Sequence, residues 1–144
     1  MKMQALRIAV SVVVLFTVSA AVAQTSPGDV VVNVPFSFVA ANQQMQPGRY
    51  IVSPAAYGVL RISNSRDSKN QMFASAYALQ HSTPSGPKLV FHRYGDSYFL
   101  AEVWNGSGAT GKQLPRSKAE KEVASVTVNG ARRKAEIAEV RPER

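Results

Sequence analysis

Hydrophobic and polar residues alternate along much of the chain between residues 29 and 105, with the period of two that is typical of half-buried β-strands. The first run places a valine or a phenylalanine at every second position from Val30 to Phe38. Pro35 has no N–H to donate, so we predict that this strand is bulged or lies at a sheet edge there. Similar runs predict further strands over residues 49–53, 59–63 and 71–80.

The segment from residue 88 to residue 105 has two apolar runs, one on each side of Gly95-Asp96. Glycine at the first central position suits a type II′ turn, so the segment is predicted to be a β-hairpin. Continued without interruption, the register of this hairpin places Trp104 on the same face as Phe91. Both faces are largely apolar, which predicts a central hairpin that is covered on both sides.

One short helix is predicted after these strands. Ser117 and Glu120 have the spacing of a capping box, in which the Glu120 carboxylate reaches back to Ser117, and the predicted helix covers residues 117–124. The range 131–140 is compatible with a weak helix or a strand, so residues 129–144 form a tail of uncertain structure. The pattern as a whole predicts a mainly β fold, an antiparallel β-sandwich or small barrel with one short C-terminal helix.

The first 23 residues have the layout of a cleavable signal peptide. Lys2 and Arg7 precede an apolar run over residues 8–18, and Ala21 and Ala23 then offer a signal peptidase site. The run is shorter than the roughly 20 residues that a membrane-spanning helix needs. We therefore expect cleavage after Ala23 rather than a membrane anchor.

Cleavage would leave a mature chain of simple organisation. We expect a flexible leader over residues 24–28, a β-rich domain over residues 29–128 and the tail over residues 129–144. No later apolar stretch is long enough to span a membrane. The sequence therefore predicts an exported protein of the periplasm or the extracellular space.

Composition narrows the possible functions. The 144 residues include no cysteine, which excludes disulfides, thiolate metal sites and cysteine nucleophiles. Lys and Arg number 17 against 9 Asp and Glu, a formal net charge of +8 that falls to +6 when Lys2 and Arg7 are removed with the signal peptide. On an exported protein this charge suits anionic envelope polymers, and we expect no nucleic-acid partner. The one tight basic cluster, Arg132-Arg133-Lys134, is interpreted as part of a solvated tail.

Few residues could support catalysis. The chain has two histidines, His81 and His92, and no second ligand follows either of them at a zinc-like spacing. We therefore predict no catalytic residue, no metal site and no cofactor. A hydrolase that uses His92, Asp96 or Glu102 is the alternative. Asp96 is better explained as a turn residue, and Glu102, which is expected to share a face with Arg93, as part of a structural ion pair or hydrogen bond.

The predicted hairpin supplies the candidate binding residues Arg93, Tyr94, Tyr98 and Trp104. Aromatic rings beside an arginine suit stacking on a sugar or a polymer, but such rings are also typical of the core of a β-domain. We expect Trp104 to be mostly buried. These residues favour a non-enzymatic binding or structural protein of the cell envelope, with an envelope polymer or another protein as its partner.

Four motifs of the chain resemble a family of small exported bacterial proteins of unknown function. They are VNVPFSF at residues 32–38, PGRYIV at 47–52, FHRYGDSYFLAEVW at 91–104 and LPRSKAE at 114–120. The resemblance extends over most of the predicted mature chain and implies export and a small β-rich domain. It implies no activity, substrate or catalytic residue.

Overall fold

The structure, a computed structural model, describes residues 26–67, 69, 71–81, 86–128 and 131–143. The predicted signal peptide and its cleavage site lie outside the described residues. In chain order the elements are β1 (Val30–Val34), β2 (Phe38–Ala40), β3 (Gln43–Met45), β4 (Gly48–Ala56), β5 (Val59–Asn64), β6 (Gln71–Ser75), β7 (Tyr77–Gln80), β8 (Lys88–Tyr94), β9 (Ser97–Trp104), β10 (Thr110–Gln113), α1 (Lys118–Ser125), β11 (Thr127–Val128), β12 (Ala131–Arg132) and β13 (Glu136–Val140).

Most of the strands form two sheets that enclose one core. The first sheet is antiparallel with the order β1-β4-β5-β6, and the second has the order β13-β8-β9-β10-β7. The short hairpin of β2 and β3 joins the second sheet through a parallel bridge between Val39 and Phe99. The prediction of a mainly β fold with antiparallel sheets and one short helix is confirmed.

The core is built from alternate residues of both sheets, as period-two strands require. Val32 and Ile62 of the first sheet are buried against residues of the second sheet such as Phe91. The ring of Phe38 meets the rings of Tyr50 and Phe91 edge to face, with centroids 5.1 and 5.3 Å apart. Burial of these large side chains is the main source of stability in such a fold.

The strand predicted over residues 71–80 is in fact two strands that belong to different sheets. β6 ends the first sheet at Ser75, and β7 begins at Tyr77 as an edge of the second sheet. Ala76 lies buried between them, and its N–H donates to the carbonyl of Gly58 at 2.8 Å. The alternation of the sequence continues through this change of sheet and therefore does not reveal it.

Ser117 caps the helix as predicted, but only half of the capping box forms. The Ser117 hydroxyl accepts from the N–H of Glu120 at 3.0 Å, whereas the Glu120 carboxylate turns to the second sheet instead of to Ser117. Beyond the helix, β13 pairs with β8 from Glu136 opposite Arg93 to Val140 opposite Leu89. The C-terminal segment therefore forms an edge strand, β13, of the second sheet.

The central hairpin of β8 and β9 has the predicted turn. Gly95 has a φ of +65°, and Tyr94 pairs with Ser97. Further along, the register shifts, because Val90 pairs with Glu102 while Phe91 pairs with Leu100.

This shift leaves Ala101 as an extra residue in β9, which is a β-bulge. After the bulge, Val103 faces the core, and Glu102 and Trp104 face the other side of the sheet, here called the outer face. The expectation that Trp104 shares a face with Phe91 is therefore wrong, as is the expectation that Glu102 shares a face with Arg93, although Glu102 does make a structural hydrogen bond, with Trp104.

Gly95→Val should lower the free energy of unfolding by about 1–3 kcal/mol, because β-branched residues rarely adopt a positive φ. Among the described residues, no atom lies within 4 Å of an added Cβ, so backbone strain alone would cause the loss. Gly95→Asn should cost less, since asparagine tolerates this conformation. Gly86→Val is a control in open space without a positive φ. Equal urea midpoints for Gly95→Val and the wild type would contradict the positive φ of Gly95 in this turn.

Candidate functional site

The structure places the four candidate residues of the hairpin on two different faces of the second sheet. Arg93 and Tyr98 are cross-strand neighbours, and the guanidinium carbon of Arg93 lies 5.6 Å from the centre of the Tyr98 ring. Tyr98 in turn stacks on Phe36, with ring centroids 3.9 Å apart and planes 16° from parallel. Arg93 and Tyr98 are therefore brought together in a half-exposed stack.

Tyr94 and Trp104 lie on the outer face and are buried, with exposures of 3% and 1%. The indole N–H of Trp104 donates to the Glu102 carboxylate at 2.8 Å. Its ring packs against Gly111, where an added Cβ would lie 2.7 Å from Cδ2. The prediction that Trp104 is mostly buried is confirmed, and the four residues do not form a single platform.

The three residues of the hydrolase hypothesis have separate surroundings. His92 is held by Glu120, Glu102 accepts from Trp104, and Asp96 is exposed in the hairpin turn. Within the part of the chain that the structure describes, no group of three His, Cys, Asp or Glu side chains is arranged to hold a metal ion.

Glu120 connects the helix to the outer face of the second sheet. The residue is 2% exposed, and its Oε1 lies 2.6 Å from His92 Nδ1 and 3.3 Å from the Tyr94 hydroxyl, which donates to it. An ionised carboxylate only accepts hydrogen bonds, which assigns a hydrogen to His92 Nδ1. Arg116 Nε lies 3.6 Å from the same oxygen. These partners offset the cost of removing the carboxylate from water.

Tyr94 is kept in its neutral form by the same surroundings. Burial raises the pKa of the Tyr94 phenol above its ordinary value, and the charge of the Glu120 carboxylate adds to the rise. The Arg116 guanidinium opposes the effect without cancelling it. Tyr94 therefore acts as a hydrogen-bond donor to Glu120.

A pocket of about 430 Å³, here called the basic pocket, opens beside this cluster between α1 and the segment from β12 to β13. Five of its lining residues are cations: Arg116, Lys121, Arg132, Arg133 and Lys134. Arg116 has the Glu120 carboxylate within 4 Å, and no described carboxylate is as near to any of the other four. Positive charge is thus concentrated on one concave surface.

The C-terminal strands bring the basic cluster to the helix. β11 and β12 pair as antiparallel strands, and the N–H of Arg133 donates to the carbonyl of Val126 at 3.2 Å. Arg132, Arg133 and Lys134 are exposed, as the interpretation of a solvated tail requires, but they also line the basic pocket. In the sequence, the compact run of three basic residues was the available signal of this pocket. No pattern in the sequence pointed to Lys121 or Arg116.

Comparisons of this chain with protein-family models, with curated proteins and with solved structures find no match. Within the described ranges, no helix is both long and apolar enough to cross a membrane.

Glu120→Ala should lower the free energy of unfolding by about 2–4 kcal/mol, because it leaves the donors of the half-buried His92 and the buried Tyr94 without their acceptor. Glu122→Ala removes an exposed carboxylate from the same helix and should change stability by no more than about 0.5 kcal/mol. Urea denaturation at neutral pH measures both variants. Similar small losses for the two would show that Glu120 does not anchor the helix.

Stability should fall at high pH, in part because of Tyr94. The folded state holds the phenol proton of Tyr94 more tightly than the unfolded state does. The resulting contribution to the free energy of unfolding is complete below pH ~10 and is lost as the pH rises through the higher pKa of folded Tyr94. Tyr94→Phe should reduce the loss above pH ~10. Tyr57→Phe, at a fully exposed tyrosine, should not. Identical pH profiles for Tyr94→Phe and the wild type would show that Tyr94 does not cause the loss of stability at high pH.

Proposed function

We propose that this protein is an exported, non-enzymatic β-domain that binds an anionic polymer of the cell envelope through the basic pocket. The observation that carries the proposal is the convergence of five cations on one concavity of about 430 Å³. The predicted signal peptide and the resemblance to small exported bacterial proteins support the location. The predicted mature chain, without Lys2 and Arg7, still has a formal net charge of +6, which supports an anionic partner.

The electrostatics of the basic pocket favour an anion over a neutral ligand. Cations gathered on one surface repel each other, and a bound anion would relieve that repulsion. Three of the five are arginines, whose planar forks match phosphate and carboxylate groups in a bidentate manner. The ligand class is therefore a chain that carries phosphate or carboxylate groups.

The cluster around Glu120 supports the proposal because it holds Arg116 in position beside the basic pocket. Its closest contact with Glu120 Oε1 is through Nε, which leaves the donors of the two terminal nitrogens for a ligand. Lys121, one residue after Glu120 on α1, lines the same pocket. Anchoring of Glu120 by His92 and Tyr94 would therefore hold two of the cations at fixed positions.

The proposal assigns no catalytic step to the three residues of the hydrolase alternative. Glu120 holds His92, Trp104 holds Glu102, and Asp96 lies exposed in the hairpin turn. An activated water or nucleophile needs a base and its orienting partner at one site. This arrangement favours binding over hydrolysis.

The test is calorimetric titration with polyphosphate and, separately, with polygalacturonate at about 10 mM ionic strength, where the screening length is roughly 30 Å. We expect the triple variant Arg132→Gln, Arg133→Gln, Lys134→Gln to bind roughly tenfold more weakly than the wild type, since each exposed ion pair contributes about 0.2–1 kcal/mol. The two titrations distinguish a phosphate polymer from a carboxylate polymer.

The matched control is the triple variant Arg61→Gln, Arg66→Gln, Lys69→Gln, which removes three exposed cations elsewhere. It has the same net charge as the first variant, so it reports how much of the effect is due to total charge. We expect it to retain most of the affinity. Equal losses in the two triple variants, or no binding of either polymer by the wild type, would refute the proposal.

A further inference from the structure

A second concavity lies at one end of the sandwich, between the two sheets, and is here called the end cleft. Its volume is about 240 Å³. Val52 and Leu60 line it from the first sheet, and Val103 and Lys112 line it from the second. None of these residues lines the basic pocket, so the end cleft is a separate site.

The inner walls of the end cleft are apolar, and its rim is open to solvent. Val52, Leu60 and Val103 are all less than 5% exposed and belong to the core, whereas Pro54 and Thr110 at the rim are exposed. The three side chains reach the floor of the end cleft through a few atoms, and the rest of their surface is packed in the core. Concavities of this kind bind small apolar groups, because water gains few hydrogen bonds there.

Lys112 adds one positive charge to these apolar surroundings. It lies in β10 between Val103 of β9 and Ala78 of β7, on the strand face that lines the end cleft. Among the described residues, no carboxylate lies within 4 Å of its ammonium group. A half-buried cation beside apolar walls suits a ligand with one anionic group and one hydrocarbon chain.

We infer that the end cleft binds a straight-chain carboxylate, with the chain between the exposed Pro54 and Ala78 over the apolar floor and the carboxylate on Lys112. The length of the chain follows from the volume. A water molecule occupies about 30 Å³ and a methylene group is of similar size, so the cleft has room for about eight carbons. The ligand class is therefore a medium-chain fatty acid.

Chain length is tested by calorimetric titration of the folded protein with hexanoate, octanoate, decanoate and dodecanoate below their micelle concentrations. Each methylene group that enters the cleft should tighten binding about fourfold. The gain should stop near octanoate, where the cleft is full. No binding of octanoate, or a gain that continues undiminished to dodecanoate, would overturn the inference.

The role of Lys112 is tested by comparing octanoate with octan-1-ol, which has the same chain and no charge. The wild type should prefer octanoate by about tenfold. Lys112→Met should abolish this preference while octan-1-ol still binds, and Lys69→Met, at an exposed lysine, should retain it. An unchanged preference in Lys112→Met would overturn the assignment of the carboxylate to Lys112.

Two further variants test the location. Ala78→Trp adds a large side chain at the exposed rim and should weaken octanoate and octan-1-ol alike, with an unchanged urea midpoint. The triple variant of Arg132, Arg133 and Lys134 should bind octanoate as the wild type does. Loss of octanoate binding in that variant would assign the ligand to the basic pocket and overturn the inference.

Discussion

The β-bulge at Ala101 is the constraint on which the rest of the structure depends. This one extra residue in β9 directs Val103 into the core and Trp104 to the outer face. Its carbonyl also accepts from the N–H of Leu114 at 2.8 Å, which fixes the segment that leads into α1. The bulge therefore affects both candidate sites, because Val103 lines the end cleft and α1 lines the basic pocket.

The buried carboxylate of Glu120 is the second link between the helix and the sheet. A helix of eight residues is too short to be stable alone, so α1 depends on its tertiary contacts. Glu120 supplies them by accepting from His92 and Tyr94 of β8. A buried charge is tolerated only with such partners, so the same interaction that holds the helix also orients Arg116 beside the basic pocket.

The two candidate sites were visible in the sequence to different degrees. The run Arg132-Arg133-Lys134 marked a basic segment, but only β11 and β12 bring it to α1. Lys112 and Val103 gave no signal of a site, because the end cleft exists only where two sheets meet at their ends. Arg93 and Tyr98 are cross-strand neighbours because the turn at Gly95 sets their pairing, and this turn could be predicted from the sequence.

The sequence by itself determined the features that depend on nearby residues: the alternating strands, the turn at Gly95 and the cap at Ser117. Backbone preferences and capping act over a few residues, so they can be read locally. Only the tertiary structure decided the change of sheet at Ala76, the bulge at Ala101 and the pairing of β13 with β8. Each of these depends on a partner far away in the chain. The bulge had no local signature, because apolar residues on both faces of the central hairpin fit either register.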